Sequence, residues 1–163
     1  MNFAELLGFG TSVGLGATVF MDVVAVLRQG LSGTNGFYCL VGRWIGSLPR
    51  SGFAHDDIRK SEAISGEALL GWSAHILMGV VFGVCFVLLF DTTVSSAILG
   101  VQSVGFGLGT VLVPWLIFQP LFGWGVAVSN TPDPWRLRLR SVITHGVFGV
   151  GLFVSALALR PLF

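Results

Sequence analysis

The stretch that decides the fold is ALLGWSAHILMGVVFGVCFVLLF, which runs from Ala68 to Phe90. It contains no Asp, Glu, Lys or Arg, and it matches the length of about 20 apolar residues that a helix needs to cross a bilayer. Three other stretches read the same way, at about 6–27, 94–118 and 141–159. Only Asp91-Thr92-Thr93 interrupts the second and third, so those two are expected to form a tight helical hairpin. Pro114 and Pro120 are placed to kink or end the third span.

Composition agrees. Of 163 residues, 53% are apolar and 10% charged, and the mean hydropathy is +0.84, whereas soluble domains carry about 25% charged residues. So few charges cannot cover a water-facing surface, so the chain reads as one all-α integral membrane domain, a four-transmembrane-helix bundle solvated by lipid bilayer. A net charge of +1 gives no sign of a nucleic-acid partner. The two cysteines, Cys39 and Cys85, fall in a loop and in a span and make no disulfide framework. The first residues lack a basic region, so no cleavable signal is expected.

Orientation follows from the positive-inside rule. Arg28, Arg43, Arg50, Arg59 and Lys60 occupy the first loop, Arg136, Arg138 and Arg140 the third, and only Arg160 lies at the other face. The expected topology is N-out and C-out, with both long loops cytoplasmic.

Within the first loop, Phe37, Leu40, Val41, Trp44, Ile45 and Leu48 recur at three- and four-residue spacing before Pro49. This is the apolar face of a short amphipathic helix, about 37–48. Beside a membrane it reads as an interfacial helix; the alternative is a cytoplasmic helix packed on its own loop. The third loop, Gln119-Pro120-Leu121-Phe122-Gly123-Trp124-Gly125 followed by Ser129-Asn130-Thr131-Pro132, is rich in turn formers yet partly apolar. It reads as an ordered connection folding back on the bundle, with Gln119 and Asn130 either lining the cytoplasmic entrance or capping helix ends.

Small residues stack at four-residue intervals: Gly10, Gly14, Thr18 and Asp22 in the first span; Glu67, Gly71, His75, Gly79 and Gly83 in the second; Ser141, His145 and Gly149 in the fourth. Such stripes are packing surfaces in lipid, and each carries an ionisable residue inward. The halves echo each other. Gly14-Leu15-Gly16-Ala17-Thr18 resembles Gly107-Leu108-Gly109-Thr110, and His75 with Phe82-Gly83 loosely parallels His145 with Phe148-Gly149. A duplication would relate the halves by an axis along the membrane normal and place both histidines facing it.

Ionisable groups within spans are costly and mark candidate sites. Asp22 lies about 8 Å inside the cytoplasmic end of its span, His75 about 10 Å and His145 about 6 Å, one shared layer. A carboxylate with two imidazoles is a common donor set for a divalent metal, zinc or iron. Metal-activated water would allow hydrolysis, with Glu67, His75 and His145 as the catalytic groups and His55 reaching down from the loop. Three readings stand: a site for a metal cation or a small polar or lipid-linked ligand, with membrane-embedded metal-dependent hydrolysis as its enzyme form; a small proton- or cation-coupled transporter working as a homo-oligomer; or an accessory or scaffold subunit. The plainer alternative is that these groups pair with neighbours as interhelical glue. No His-Glu-x-x-His, nucleotide-binding loop, Gly-x-Ser-x-Gly or Cys-x-x-Cys is present.

The pattern Ala17-Thr18-x-x-Met21-Asp22, Gly42-Arg43-Trp44, Glu67-x-x-x-Gly71-Trp72-x-x-His75, Gln119-Pro120-x-x-Gly123-x-Gly125 through Thr131-Pro132-x-Pro134, and Arg140-Ser141-x-x-x-His145-x-x-Phe148-Gly149 resembles a family of small bacterial inner-membrane proteins catalogued as a domain of unknown function. The resemblance covers essentially the whole chain. It implies four spans and the bacterial inner membrane, and no activity.

Overall fold

The structure is a computed structural model that describes residues 2–163, the side chains of residues 50 and 51 excepted. Every regular element among the described residues is helical. Four helices are long and apolar enough to cross a membrane: Phe3–Pro49, Glu67–Leu89, Ser96–Leu121 and Pro134–Leu162.

Helix α1 (Phe3–Ser51) starts with a capping box, in which Asn2 Oδ1 accepts from Glu5 N and Glu5 Oε2 accepts from Asn2 N. It is bent sharply at Gly30, whose φ of 74° and ψ of 167° are open to glycine alone. The sharpness follows from one hydrogen bond. Tyr38 Oη donates to Asp22 Oδ1 at 3.0 Å across 16 residues, and a straight helix would hold those residues about 24 Å apart. The chain therefore turns sharply at Gly30, with arms at 3–29 and 31–51. Thr34 Oγ1 donates to Gly30 O, and Gln29 Nε2 donates to Thr34 Oγ1, tying the apex together. The amphipathic helix expected at 37–48 is thus the middle of a longer arm, which runs to Ser51, two residues beyond Pro49.

Both arms pack on α2 (Glu67–Leu89) along the small-residue stripes. A Cβ on Gly14 would overlap the Gly79 carbonyl, and one on Gly83 would overlap the Gly10 carbonyl. In the second arm, a Cβ on Gly42 would strike the Glu67 carbonyl and one on Gly71 the Tyr38 carbonyl. Backbones touch where these stripes meet, as small residues in lipid-facing helices permit.

After α2, Asp91 Oδ1 accepts from Thr93 N and Oγ1 to form a tight turn, and α3 (Ser96–Gly109) follows. The third rod does not end at residue 118. It continues through a π-helical segment, Pro114–Phe118, and the short α4 (Gln119–Leu121). Helix α5 (Pro134–Leu159) packs on α3 where Gly107 meets Gly149, and on α1 where Gly151 meets Ala17. The core lies away from the basic loops, around Phe9, Val13, Phe86, Leu99, Phe148 and Leu152.

The first and third loops knit into a cap. His55 N donates to Leu121 O and Ile58 N to Phe122 O, while Ile58 and Phe122 are fully buried. Gly123, at φ 82°, lets the His55 and Asp56 carbonyls approach where a Cβ would strike them. Trp44 packs edge-on to Phe118, and its Nε1 donates to Phe53 O, so the tryptophan of the second arm faces the cap.

Candidate functional site

The bend of α1 builds the site. Asp22 comes from the first arm, Tyr38 from the second, and His75 from α2. Tyr38 Oη donates to Asp22 Oδ1 at 3.0 Å. His75 Nε2 stands 3.0 Å from Oδ1 and 3.1 Å from Oδ2 of the same carboxylate, and 3.0 Å from Tyr38 Oη. The carboxylate accepts from both, so in the neutral ring the His75 proton sits on Nε2 and the lone pair on Nδ1. Tyr38 stacks on the imidazole, with centroids 4.3 Å apart at 24°. Trp72 packs against both rings, 4.4 Å from Tyr38 and 5.9 Å from His75 between centroids, and its Nε1 donates to Asn35 Oδ1. The Asp22 and His75 side chains are 17% and 14% exposed. What exposure Asp22 has opens onto a shallow groove lined otherwise by Val19, Val23, Val26 and Leu27, an apolar strip on the outer face of the first arm.

Tyr38, the only tyrosine in the chain, escaped the sequence reading. It lies on the helix whose apolar spacing was legible, but its partnership with Asp22 depends on the bend. The available signal was the run Arg28 to Gly36, polar and glycine-rich, with Gly30 midway between Asp22 and Tyr38.

His145 occupies the same depth but turns elsewhere. Asp22 is five residues beyond the Ala17–Gly151 contact and His145 six residues before it on the antiparallel helix, about 8 and 9 Å along the axes. Its Nδ1 pairs with Thr110 Oγ1 of α3 at 2.8 Å. In both close crossings, Gly14 with Gly79 and Gly107 with Gly149, a histidine precedes the second glycine by four residues. His75 then bonds to Asp22 of α1 and His145 to Thr110 at the end of α3.

The remaining candidates are placed apart. Glu67 is held by Arg43 through two parallel contacts, Nε to Oε2 at 2.9 Å and Nη2 to Oε1 at 3.0 Å, and it accepts from Ile64 N. Arg43 also donates to Ser61 O. This carboxylate locks the second arm to the start of α2. It stands two helical turns, about 12 Å, from His75. His55 belongs to the cap, with Nε2 3.3 Å from Ser47 Oγ. Asn130 N donates to Trp124 O, and its side chain accepts from Ser129; the residue shapes the third loop. Gln119 is buried in α4.

In the cap, Asp57 pairs with Arg59 Nε and Nη2, both at 2.8 Å. The hydrogen-bonded Arg59 guanidinium holds the Asp57 carboxyl well below the usual carboxylate range.

Among the described residues no three of His, Cys, Asp and Glu gather as a metal requires. Asp22 and His75 supply two donors, whereas zinc and iron sites take three or four protein ligands. The third expected donor, His145, spends its Nδ1 on Thr110. What the arrangement does offer is one carboxylate, one imidazole and one phenol joined by short hydrogen bonds beside an apolar groove.

A family model described as Protein of unknown function (DUF2938) matches residues 11–159, and the chain belongs to that family. No curated protein and no solved structure matches it.

Proposed function

We propose that this member of a family without an assigned activity is a multi-pass protein of the bacterial inner membrane that binds a small polar or lipid-linked ligand at Asp22, Tyr38 and His75. Its topology is N-out and C-out, because eight of the nine Lys and Arg residues lie in the two long loops. The site then sits in the cytoplasmic leaflet, and the apex around Gly30 lies at the interface with Leu27 and Leu31 exposed to it.

The observation that carries the reading is the triangle of contacts at 3.0–3.1 Å on the wall of an otherwise apolar groove. A carboxylate inside a span is expensive to keep. Here it lies where a membrane-dissolved molecule can slide in sideways and present a cationic or hydrogen-donating group. His75 and Tyr38 hold the carboxylate in place for that group. Metal-dependent hydrolysis is the weaker form of this reading, because only two protein donors meet. Proton-coupled transport by a homo-oligomer draws on one further observation, the buried Gln102 Oε1 without a partner in the other half of the third rod.

The test is native mass spectrometry of protein released from polymer nanodiscs, comparing wild type with Asp22→Asn and His75→Gln. The reading expects a bound small molecule or lipid in the wild type that both variants lose. Identical adducts in all three folded proteins would sink it.

A further inference from the structure

The third rod carries polar groups that the Asp22 site does not use. Its inward face runs Ser103, Gly107, Thr110, Trp115 and Gln119, one residue per turn, with the five-residue step lying where the helix loosens ahead of and into the π segment. The opposite side is apolar and open: Leu112, Leu116 and Ile117 are each at least half exposed.

Three hydrogen-bonding groups follow one another along this face. The Thr110 hydroxyl gives its one proton to Gly107 O at 2.6 Å, so toward His145 Nδ1, 2.8 Å away, it can only accept. The imidazole proton is thereby fixed on Nδ1, and the neutral ring holds its lone pair on Nε2. One turn on, Trp115 Nε1–H is buried with no acceptor; one turn further, Gln119 is 6% exposed and its Oε1 is buried with no donor. Buried donors and acceptors without partners are rare because desolvation goes uncompensated. Water occupies such places when several polar groups share them, and single π-helical turns recur at functional sites.

We propose that the inner face of the third rod borders a hydrated inlet, in which water bridges Gln119 Oε1, Trp115 Nε1–H and His145 Nε2. It opens at the basic-loop end and stops at His145. Beyond that residue the Gly107–Gly149 contact closes it, and Ser103 Oγ is committed to Leu99 O. The inlet therefore delivers protons or water and does not conduct across the bundle. A proton arriving on water adds to the Nε2 lone pair, leaving the Nδ1–H bond to Thr110 in place. The inlet's own groups do not include Asp22, Tyr38 or His75, and His145 lies within electrostatic reach of His75.

The experiment is cysteine labelling in a background where Cys39 and Cys85 are replaced by Ser. Gln119→Cys and the lipid-facing Leu116→Cys are exposed to a charged methanethiosulfonate reagent in membranes opened by freeze–thaw, so that both faces meet it. A hydrated inlet makes Gln119→Cys react at least about tenfold faster than Leu116→Cys, since a thiol in apolar surroundings stays protonated and inert. In parallel, protein with 15N-labelled tryptophan in micelles, with Trp115→Phe to assign the signal, should show a water-exchange peak at the Trp115 indole. Labelling no faster than Leu116→Cys overturns the inlet. If Gln119→Cys does not fold, the indole decides: exchange with water upholds the inlet and its lack overturns it.

Discussion

Asp22 and Tyr38 stand eight residues either side of Gly30 and meet through a 3.0 Å hydrogen bond. The site exists because a single glycine bends a helix sharply. The groups that occupy the site come from two arms that a straight α1 would have held apart.

Gly30→Ala should therefore act on the site from a distance. A side chain at φ 74°, ψ 167° costs about 1–3 kcal/mol, while nothing within 4 Å would resist the added methyl. The effect is conformational, not steric. Tyr38 is the only tyrosine, so second-derivative ultraviolet absorbance reports its exposure directly. The variant should show a more solvated tyrosine and a lower Tm in detergent; an unchanged tyrosine spectrum would mean that the bend does not need glycine.

The four long apolar helices were legible because length and charge depletion are one-dimensional signals, and they survive in the segments found at Glu67–Leu89 and Pro134–Leu162. The stripes Gly10-Gly14 and Gly79-Gly83 were equally legible, since four-residue spacing defines a helix face. Depth was legible too, but direction was not: His145 shares the layer of Asp22 yet faces Thr110, and no periodicity states which neighbour a helix face meets. The spacing of Glu67 to His75 was legible, but its pairing with Arg43, 24 residues earlier in the chain, was not. Tyr38 needed the turn at Gly30, and the φ of a glycine cannot be read from composition.

The Asp22–Tyr38 contact should show strong coupling. Tyr38→Phe removes one donor to the carboxylate and should cost about 1.5–3 kcal/mol, the range for hydrogen bonds to charged groups. Asp22→Asn should cost at least as much, because it weakens the contacts to both Tyr38 and His75. The double variant should fall short of the sum by about 0.5–3 kcal/mol, as expected for residues in one network. Denaturation of the four proteins in one detergent measures this. Strict additivity would show that the phenol and the carboxylate do not share energy.

Arg43 and Glu67 should behave as a structural latch. Their side chains are 13% and 15% exposed, so Glu67→Gln leaves a largely buried guanidinium short of its partner. It should loosen the second arm and speed proteolysis of the loop at 52–66. Adding Arg43→Gln should recover part of the loss, because the uncompensated charge is then gone. Arg43→Lys should not restore full stability, since an ammonium cannot reproduce the paired contacts. If the double variant is no better than Glu67→Gln alone, the latch account fails.

Acid should loosen the cap. The hydrogen-bonded Arg59 lowers the Asp57 carboxyl relative to the unfolded chain. A depressed folded value adds stability above the ordinary carboxylate pKa and loses it as pH falls through that region and below. Protection of the loop at 52–66 from an acid-active protease should be flat between about pH 7 and 5 and decline below about pH 4. Asp57→Asn should lower protection at neutral pH and remove much of that decline. The effect will be modest, because Arg59 is half exposed.

Two glycines on the same arm should respond in opposite directions to alanine. Gly36 is helical and exposed, with nothing within 4 Å of an added Cβ, so Gly36→Ala should stabilise the arm by up to about 1 kcal/mol through helix propensity alone. Gly42 lies six residues on, where a Cβ would run into the Glu67 carbonyl at the first turn of α2. Gly42→Ala must push the arm off α2, at a cost of about 1–3 kcal/mol for overpacking, and the shift should carry Tyr38 away from Asp22. The pair separates propensity from packing, since residue type and arm are held constant. Thermal unfolding of both variants, read with the tyrosine spectrum, gives the answer. A Gly42→Ala protein as stable as Gly36→Ala would mean that the second arm is not seated on α2 in the membrane protein as it unfolds from detergent.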